Sequence, residues 1–329
     1  MDYYFSFAYS PSPSFQQEEE RFSSFFQTYL TYRSTRVRES SLLQAKTVYS
    51  KYLSSWHELP LSIALNASSI KEIYTSITSS SLCPSWKNRI IGVIRSMAKA
   101  AFLWKKIDAE LYQDALAILE NVPEGNTKQK NKPIWSKKDE EKFLSSIDDE
   151  QTKIMFRLFI ALGARLSEFL GLTWDCFNAR NGTIEIKQQL MHNSQRTFAI
   201  VKTLKTKESY RVCRLDKATR DALLSFRKSL AKPKGFIFVS PIDSSKPMSK
   251  ACFRARLAKY IRLSGVKKIT PHGVRHAKAS NLMKACKNML DVVAVAKYMG
   301  HTPSVLLNTY SHEQEKAIDK IMKRLDKIR

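Results

Sequence analysis

Apolar residues recur at the spacing of an amphipathic helix through the first third of the chain. Phe22, Phe25, Phe26, Tyr29 and Leu30 fall close to the 3.6-residue helical period. Further helices are predicted around residues 42–56, 70–77 and 85–105. We therefore expect residues 18–118 to form a small all-helical domain, preceded by an arm over residues 1–17 that is rich in aromatic residues, Ser and Pro.

A polar stretch follows the helical domain. Residues 121–133 read NVPEGNTKQKNKP, and the three lysines of this segment make it basic. Pro, Gly and polar residues in such a run predict a flexible linker, which we place at residues 119–133. A basic linker could follow a nucleic-acid backbone, and an ordinary solvated loop explains the composition equally well.

The rest of the chain mixes helical and strand patterns. Ser136, with two glutamates shortly after it, indicates a helix start, and residues 153–162 are apolar and helical. Strands are predicted at 182–189, 197–201 and 209–215, and later helices at 217–230, 249–264, 271–284 and 290–298. The predicted fold class is mainly α with a small β-sheet, in which an α+β domain over residues 134–312 follows the helical domain.

Residues 313–329 predict a further helix. Ile318, Ile321, Met322 and Leu325 form one apolar stripe on it. The stripe could pack onto its own domain or onto a neighbouring protomer, and the sequence alone leaves both alternatives open.

The formal net charge of +25 is unevenly distributed along the 329 residues. Residues 1–118 carry 13 Lys and Arg against 10 Asp and Glu, whereas residues 119–329 carry 42 against 20. Such a charge repels itself unless a polyanion compensates it, and nucleic acid does so with release of counterions. The charge favours DNA or RNA binding, with a ribosome-associated or merely solubilised basic protein as the alternative.

Other classes of protein are disfavoured by the cysteines and the apolar runs. The five cysteines are far apart and form no CxxC pair, so we expect reduced thiols, no disulfide framework and no zinc site. No stretch approaches the roughly 18 apolar residues of a membrane span. The first residues lack the basic and apolar regions of a signal peptide. We expect a cytoplasmic protein that does not bind membranes.

Two basic segments in the second half are candidates for chemistry. Arg165 lies between two glycines in the apolar segment ALGARLSEFLGLTW, where an unpaired Arg would be costly to bury. It either pairs with Glu168 or faces an anion. Lys202, Lys205 and Lys207 crowd a predicted strand–turn–strand unit, although hairpin tips are often basic.

Two further candidate segments contain histidines. In ITPHGVRHAKASNL, Thr270 can cap a helix, and His272 and Arg275 then share one helix face near a start that favours anions. His272 and His276 have the spacing of a metalloprotease helix, but Gly stands where its Glu should follow, so we predict no metal. In YMGHTPSVLLNTYSH, His301 lies in a turn, nine residues before Tyr310.

The order of these residues, Arg…Lys…His-x-x-Arg…His…Tyr, resembles the tyrosine recombinase family, which includes phage integrases and Xer-type recombinases. The resemblance covers residues 134–312 well, and the helical region 18–118 more loosely resembles the DNA core-binding domain of that family. It implies a tyrosine-recombinase-like catalytic domain that cuts and rejoins a double-stranded DNA site.

The resemblance implies a role for each residue. Tyr310 would attack the scissile phosphate and form a 3′-phosphotyrosyl link, and Arg165, Arg275 and His301 would bind the phosphoryl oxygens. Lys205 would protonate the leaving 5′-oxygen, with Lys202 and Lys207 close enough to be confused with it. His272 would act as a base near Tyr310. No metal or other cofactor is implied, and the absence of a P-loop agrees with chemistry that needs no ATP.

The family also implies partners. Four protomers would assemble on two DNA sites, with residues 313–329 docking on a neighbour, and the need for an accessory or directionality protein stays open. The protein would then be associated with the nucleoid. Our candidates for DNA contacts from the helical domain and the hairpin are Lys87, Arg89, Arg95, Lys99, Lys202 and Lys207.

Two alternatives remain. Type IB topoisomerases use similar chemistry, although the compact length favours a recombinase. A regulator or plasmid-maintenance factor would bind DNA without cutting it, through a helix-turn-helix formed by VVAVAKYMGHTPSVLLNTY with Gly300 in the turn. The segments RVCRL and KACKNMLD depart from the usual family pattern and make the subfamily uncertain.

Overall fold

The computed structural model describes residues 19–37, 39–123, 133–192, 198–202, 204, 207–231 and 233–309. The chain divides into two compact units, with the boundary between residues 129 and 130. None of the described helices is long and apolar enough to cross a membrane. The described helices of the first unit are α1 (Phe22–Ser34), α2 (Glu39–Tyr52), α3 (Leu61–Ala64), α4 (Ala67–Ser79), α5 (Pro84–Leu103) and α6 (Ala109–Ile118), with a short 3-10 turn at Ser54–Trp56.

The core of the first unit is aromatic. The residues that set the helical period of α1 are all buried, and the Phe26 ring stacks on Tyr49 of α2 at 3.9 Å between centroids. Trp56 meets Phe22 edge-on at 5.3 Å. Side chains along α5, including Ile90, complete this core. The predicted helical region is confirmed, because its apolar spacing matches the face that each helix buries.

The segment after α6 stays attached to the first unit. Leu119 is fully buried. The Asn88 side chain of α5 exchanges two hydrogen bonds with the Val122 backbone, at 2.7 and 2.9 Å, and the Arg95 guanidinium donates to the Leu119 carbonyl. Residues 119–122 therefore belong to the packed unit, and a linker beginning at residue 119 is placed too early.

The second unit contains more of the described helices and all of the described strands. Its described elements are α7 (Lys137–Ser145), α8 (Glu150–Leu162), α9 (Leu166–Leu170), β1 (Phe177–Asn178), β2 (Thr183–Ile186), β3 (Gln189–His192), β4 (Phe198–Val201), β5 (Arg211–Arg214), α10 (Lys217–Ser229), α11 (Lys250–Ser264), α12 (Pro271–Ala285), α13 (Met289–Met299) and α14 (Pro303–Thr309), with 3-10 turns at Trp174–Cys176 and Lys207–Ser209. The fold is mainly helical with small antiparallel sheets, as predicted.

The strands form two separate sheets. β1, β2 and β5 pair antiparallel in that order, and β3 pairs only with β4 among the described strands. The single strand predicted at 182–189 is wrong, because the chain leaves the first sheet at Lys187 and Gln188. The buried Gln188 amide donates to the Gly171 carbonyl at 2.7 Å and to the Thr173 hydroxyl at 2.9 Å, so a polar side chain holds the crossing between sheets.

Aromatic packing fixes the helices that carry the candidate site. Phe156 and Phe159 of α8, Phe169 of α9 and Phe253 of α11 meet with ring centroids 4.8–5.8 Å apart. α12 contacts α8 and α13, and β5 contacts α13. The ends of α8, α9, α12, α13 and β5 therefore meet at one place, around Arg275.

Candidate active site

Arg165 begins α9, immediately after a sharp turn. α8 ends at Gly163, whose φ of +54° is the left-handed conformation typical of a helix end. The Arg165 guanidinium donates to Glu168 Oε1 at 2.7 Å and to the Ser209 hydroxyl at 3.2 Å, and the Arg165 backbone N–H donates to Glu168 Oε2 at 3.1 Å. Its side chain remains 31% exposed, so it pairs with Glu168 and still reaches solvent.

Arg275 lies at the centre of the site and is 2% exposed. The Thr270 side chain caps α12, as predicted, by accepting from the Gly273 N–H. The Arg275 guanidinium donates to the Gly163 carbonyl at 2.8 Å, to the Met299 carbonyl and to His301 Nε2 at 2.7 Å. Burial, followed by the nearby guanidinium charges, lowers the pKa of Arg275 to about 9, so it remains a cation at neutral pH.

His301 follows Gly300, which ends α13 with a φ of +64°. Burial and the Arg275 charge lower the pKa of His301 to about 4, so the imidazole is neutral at pH 7. Because Arg275 can only donate, His301 Nε2 accepts and Nδ1 carries the proton. Among the described residues, this Nδ1 has no hydrogen-bond partner. This Nδ1–H is therefore a neutral, buried donor.

His272 and His276 stand on α12 beside these groups. Their rings meet edge-on with centroids 4.5 Å apart, and His272 is exposed. A cavity of about 260 Å³ is bounded by His272, Arg275, His276, Ala279, His301, Val305 and Leu306. Within the described part of the chain, no group of three or more His, Cys, Asp or Glu side chains could hold a metal ion.

Some of the predicted site residues lie outside the described part of the chain. Lys205 and Tyr310 lie outside the described residues, as does the segment 313–329. Lys207 begins a 3-10 turn, but only its backbone is described. Lys202 is exposed, and its carbonyl accepts from the Tyr210 hydroxyl. The structure therefore brings together Arg165, Arg275, His301 and His272, and leaves the lysine and tyrosine as predictions.

The other tyrosine of the last motif, Tyr298, is a structural residue. Its hydroxyl donates to the Ala161 carbonyl at 3.0 Å. Burial, together with the nearby Cys213 thiol, raises the pKa of Tyr298 far above its ordinary value. A phenol that is buried, neutral and already hydrogen-bonded is a poor nucleophile.

Sequence reasoning missed Arg211. This residue occupies an inward-facing position of β5, its side chain is 1% exposed, and its Nη2 lies 3.0 Å from Glu168 Oε2. The alternation in RVCR was the available signal, because it puts Arg211 and Cys213 on one face and Val212 and Arg214 on the other, so that the buried face of the strand must hold one arginine. Cys213 is buried with Arg211, while Val212 and Arg214 are exposed.

A groove of about 950 Å³ extends from this cluster along α11. Arg165, His272 and Arg275 are among the residues that line the groove. Four further cations line it, namely Lys250, Arg254, Arg262 and Lys268. Partial burial and the Arg254 charge lower the pKa of Lys250. The sequence reading did not select these residues, because a basic helix face carries no motif.

The candidate DNA contacts of the first unit differ in exposure. Lys87 is 9% exposed, and its ammonium group donates to the Thr78 carbonyl at 2.6 Å, so the prediction of Lys87 as an exposed DNA contact is wrong. Arg95 is partly buried and held by the Leu119 carbonyl. Arg89 and Lys99 are exposed. The Arg89 guanidinium lies over the Trp86 ring, 5.4 Å from its centroid.

The cluster of Arg165, Arg275, His301 and His272 in this mainly helical fold is typical of a tyrosine recombinase catalytic domain. The phage integrase family model matches residues 135–317. The chain belongs to the phage integrase family.

Curated relatives match it at moderate identity. The transposase from transposon Tn916 of Enterococcus faecalis is 28% identical over 216 residues, which is 60% of this chain and 52% of that protein. The tyrosine recombinase XerD of Haemophilus ducreyi is 27% identical over 179 residues, or 52% of this chain and 53% of that protein. The chain thus matches about half the length of each.

Solved structures share the fold at lower identity. The Tn1549 transposon integrase in complex with a circular intermediate DNA superposes with a TM-score of 0.73 at 20% identity, over 92% of this chain and 98% of that one. A lambda integrase tetramer bound to a Holliday junction gives a TM-score of 0.60 at 12% identity, over 88% of this chain and 78% of that one.

Proposed function

We propose that the protein is a site-specific recombinase that cleaves and rejoins double-stranded DNA through a phosphotyrosyl intermediate on Tyr310. The observation that carries the proposal is that Arg165, paired with the buried carboxylate of Glu168, converges with Arg275 and its neutral partner His301 at the end of α13. With Arg211, the cluster holds three guanidinium groups and one carboxylate, so it carries excess positive charge. Such a site is suited to a phosphodiester.

The proposed chemistry exchanges one phosphodiester for another. The Tyr310 oxygen would form a bond to phosphorus as the bond to the 5′-oxygen breaks, and the phenolic proton would pass to a base, for which His272 is the candidate. Lys205 or Lys207 would give a proton to the leaving 5′-oxygen. The 5′-hydroxyl of the partner strand would then attack the phosphotyrosine and release Tyr310, so that no bond energy is lost to hydrolysis.

The described residues would stabilise the charge that develops on the phosphoryl oxygens. The Arg165 side chain is 31% exposed, and His301 holds a buried Nδ1–H donor that has no partner among the described residues. Because the contact with Arg275 fixes the His301 tautomer, Nδ1 already carries its proton before DNA binds.

Covalent trapping tests this proposal. A nicked duplex that carries the sequence selected by the protein from a random library is incubated with it and denatured in SDS. We expect a slowly migrating protein–DNA adduct. It should be lost in Tyr310→Phe, which should still bind the duplex, and retained in the matched control Tyr298→Phe. Specific binding without any adduct would instead support the non-catalytic DNA-binding regulator.

The DNA contacts are proposed to extend beyond the catalytic cluster. Arg89 and Lys99 of the first unit, and Lys250 and Arg254 beside the groove, are cations on the described surface or partly exposed to it. Phosphate contacts of this kind position a protein on a duplex without reading its sequence. Nucleoid association would follow from them.

Assembly into a tetramer on two DNA sites is proposed to use residues 313–329. α13 exposes Met289, Leu290 and Val293, of which Leu290 is 79% exposed. An apolar face of this kind fits the apolar stripe of residues 313–329 from a second copy. Deleting residues 313–329 should weaken pairing of two DNA sites more than binding to one site, and equal losses would refute this use of the segment.

A further inference from the structure

Arg211 is an unusual residue for the interior of a small sheet. It pairs with Ile186 across β2 and β5, and its side chain is 1% exposed. Removing a guanidinium from water is costly unless good partners replace it. Position 211 shares the buried face of β5 with Cys213, where an apolar residue would satisfy the sheet without this cost.

The contacts of Arg211 link three parts of the candidate site. Nη2 donates to Glu168 Oε2 at 3.0 Å, and Nη1 donates to the Ser209 carbonyl at 2.9 Å. Nη1 also lies against Gly300, where an added Cβ would approach it to 2.8 Å. One guanidinium therefore contacts the helix start of Arg165, the turn before β5 and the residue that precedes His301.

Glu168 is shared between two arginines because of this arrangement. Its Oε1 accepts from Arg165 Nη1, while its Oε2 accepts from Arg211 and from the Arg165 backbone. Burial by itself would raise the pKa of the Glu168 carboxyl, but the Arg211 charge, together with the charge and hydrogen bonds of Arg165, outweighs burial and holds that pKa below its ordinary value. Glu168 is thus held as a carboxylate by both arginines, each of which occupies a different oxygen with its guanidinium.

Because Glu168 is shared with Arg211, the Arg165 guanidinium contacts only one of the two carboxylate oxygens. A guanidinium and a carboxylate prefer a two-point contact in which both carboxylate oxygens are used. Here Arg165 makes a one-point contact with the carboxylate, and its Nη2 instead approaches the Gly300 carbonyl at 3.3 Å. If Arg211 were absent, Oε2 would lose its charged partner and Arg165 could rotate into the two-point pair.

We propose that Arg211 is a positioning residue which, by occupying Glu168 Oε2, keeps Arg165 in a one-point contact and its remaining N–H groups directed at the phosphate. The inference rests on the proposed function, because it assigns the phosphate to Arg165. Arg211 itself need not touch DNA.

A comparison of the single variant with a double variant tests the proposal. In Arg211→Met, Arg165 is the only arginine that still pairs with Glu168. In the double variant Arg211→Met with Glu168→Gln, the carboxylate charge that would draw Arg165 away from the phosphate is removed as well. Adduct formation on the nicked duplex at saturating protein should fall about 100-fold in Arg211→Met, with affinity for the duplex within about twofold of wild type. The double variant should recover at least tenfold over Arg211→Met. Arg214→Met, on the exposed face of β5, should form adduct at the wild-type rate.

A purely structural role predicts a different outcome. In that case the two variants would lose adduct formation equally and in proportion to their loss of folded protein, which thermal unfolding measures. That result, or cleavage by Arg211→Met at the wild-type rate, would overturn the proposal. Arg211→Lys provides a milder change for the same comparison, since its single nitrogen cannot span Glu168 and the Ser209 carbonyl as the fork does.

A readout without DNA separates this proposal from the proposed function. Rotation of the Arg165 guanidinium about its Nε–Cζ bond can be followed by NMR in arginine-labelled protein, with Arg165→Lys identifying the signal. We expect slower rotation in Arg211→Met, because both terminal nitrogens become held by Glu168. Unchanged rotation would overturn the positioning role. If the wild type forms no adduct but this rotation slows, the recombinase proposal fails and the control of Arg165 by Arg211 stands.

Discussion

Acidification should destabilise the protein through His301. Its pKa of about 4 in the folded protein lies below the ordinary value of 6.5, so the unfolded chain binds the extra proton between these two pH values. Stability contributed by the neutral ring is therefore present above pH 6.5 and is lost as the pH falls towards 4. The full shift corresponds to about 3 kcal/mol. Because the ring is not fully buried, solvent screening reduces this to about 1–2 kcal/mol.

The comparison variant is His301→Gln, whose amide oxygen can still accept from Arg275 but does not titrate in this range. Free energies of unfolding from urea titrations at pH 7.5 and 4.5 should fall by about 1–2 kcal/mol more in the wild type than in the variant. Titrating carboxylates affect both proteins alike and cancel in the difference. Parallel losses in the two proteins would refute the assignment of a neutral, Arg275-bound imidazole.

Three further predictions follow from the same structure. Arg275→Met should lower the free energy of unfolding by about 3 kcal/mol, because the Gly163 and Met299 carbonyls lose their donor; unchanged urea unfolding would contradict this. Gly300→Ala should lower it by about 1–2 kcal/mol, since φ is +64° there, and a thermal melt equal to wild type would count against it. Lys99→Ala should reduce the salt dependence of DNA binding by about one phosphate contact, while buried Lys87→Met should leave that slope unchanged; equal effects would disprove the exposure argument.

Local sequence signals predicted much of the second unit. Thr270 and Pro271 mark the start of α12 through capping chemistry that depends only on neighbours, and Gly300 marks the end of α13 for the same reason. Histidine and arginine spacing on α12 then follows from helical geometry. These rules act within a few residues, so they can be read without knowledge of the tertiary structure.

Long-range partners were not predictable in this way. The pairing of Arg211 with Glu168 joins positions 43 residues apart, and the Arg275 contact with Gly163 joins positions 112 apart. Lys87 was misjudged because its helix position places it near an exposed face, while a carbonyl on another helix captures its ammonium group. Side-chain partners chosen by packing decide these cases, and sequence periodicity does not identify them.

In the active site as well, local motifs predict which residues are present, whereas their charge states depend on tertiary contacts. The motifs predicted which residue types would meet, and the structure adds which groups are charged and which are shared. Neutral His301, buried Arg275 and the divided Glu168 all depend on desolvation and on the number of cations present. A single sequence without its fold contains neither quantity.

Mass spectrometry of the trapped adduct tests the central claim most directly. Tryptic cleavage is expected to release the peptide spanning residues 298–316, which contains both Tyr298 and Tyr310. After nuclease digestion of the DNA, we predict a nucleotide remnant on this peptide, with fragment ions that place it on Tyr310. A remnant on Tyr298, on another peptide or on no peptide would contradict the proposal that Tyr310 is the nucleophile.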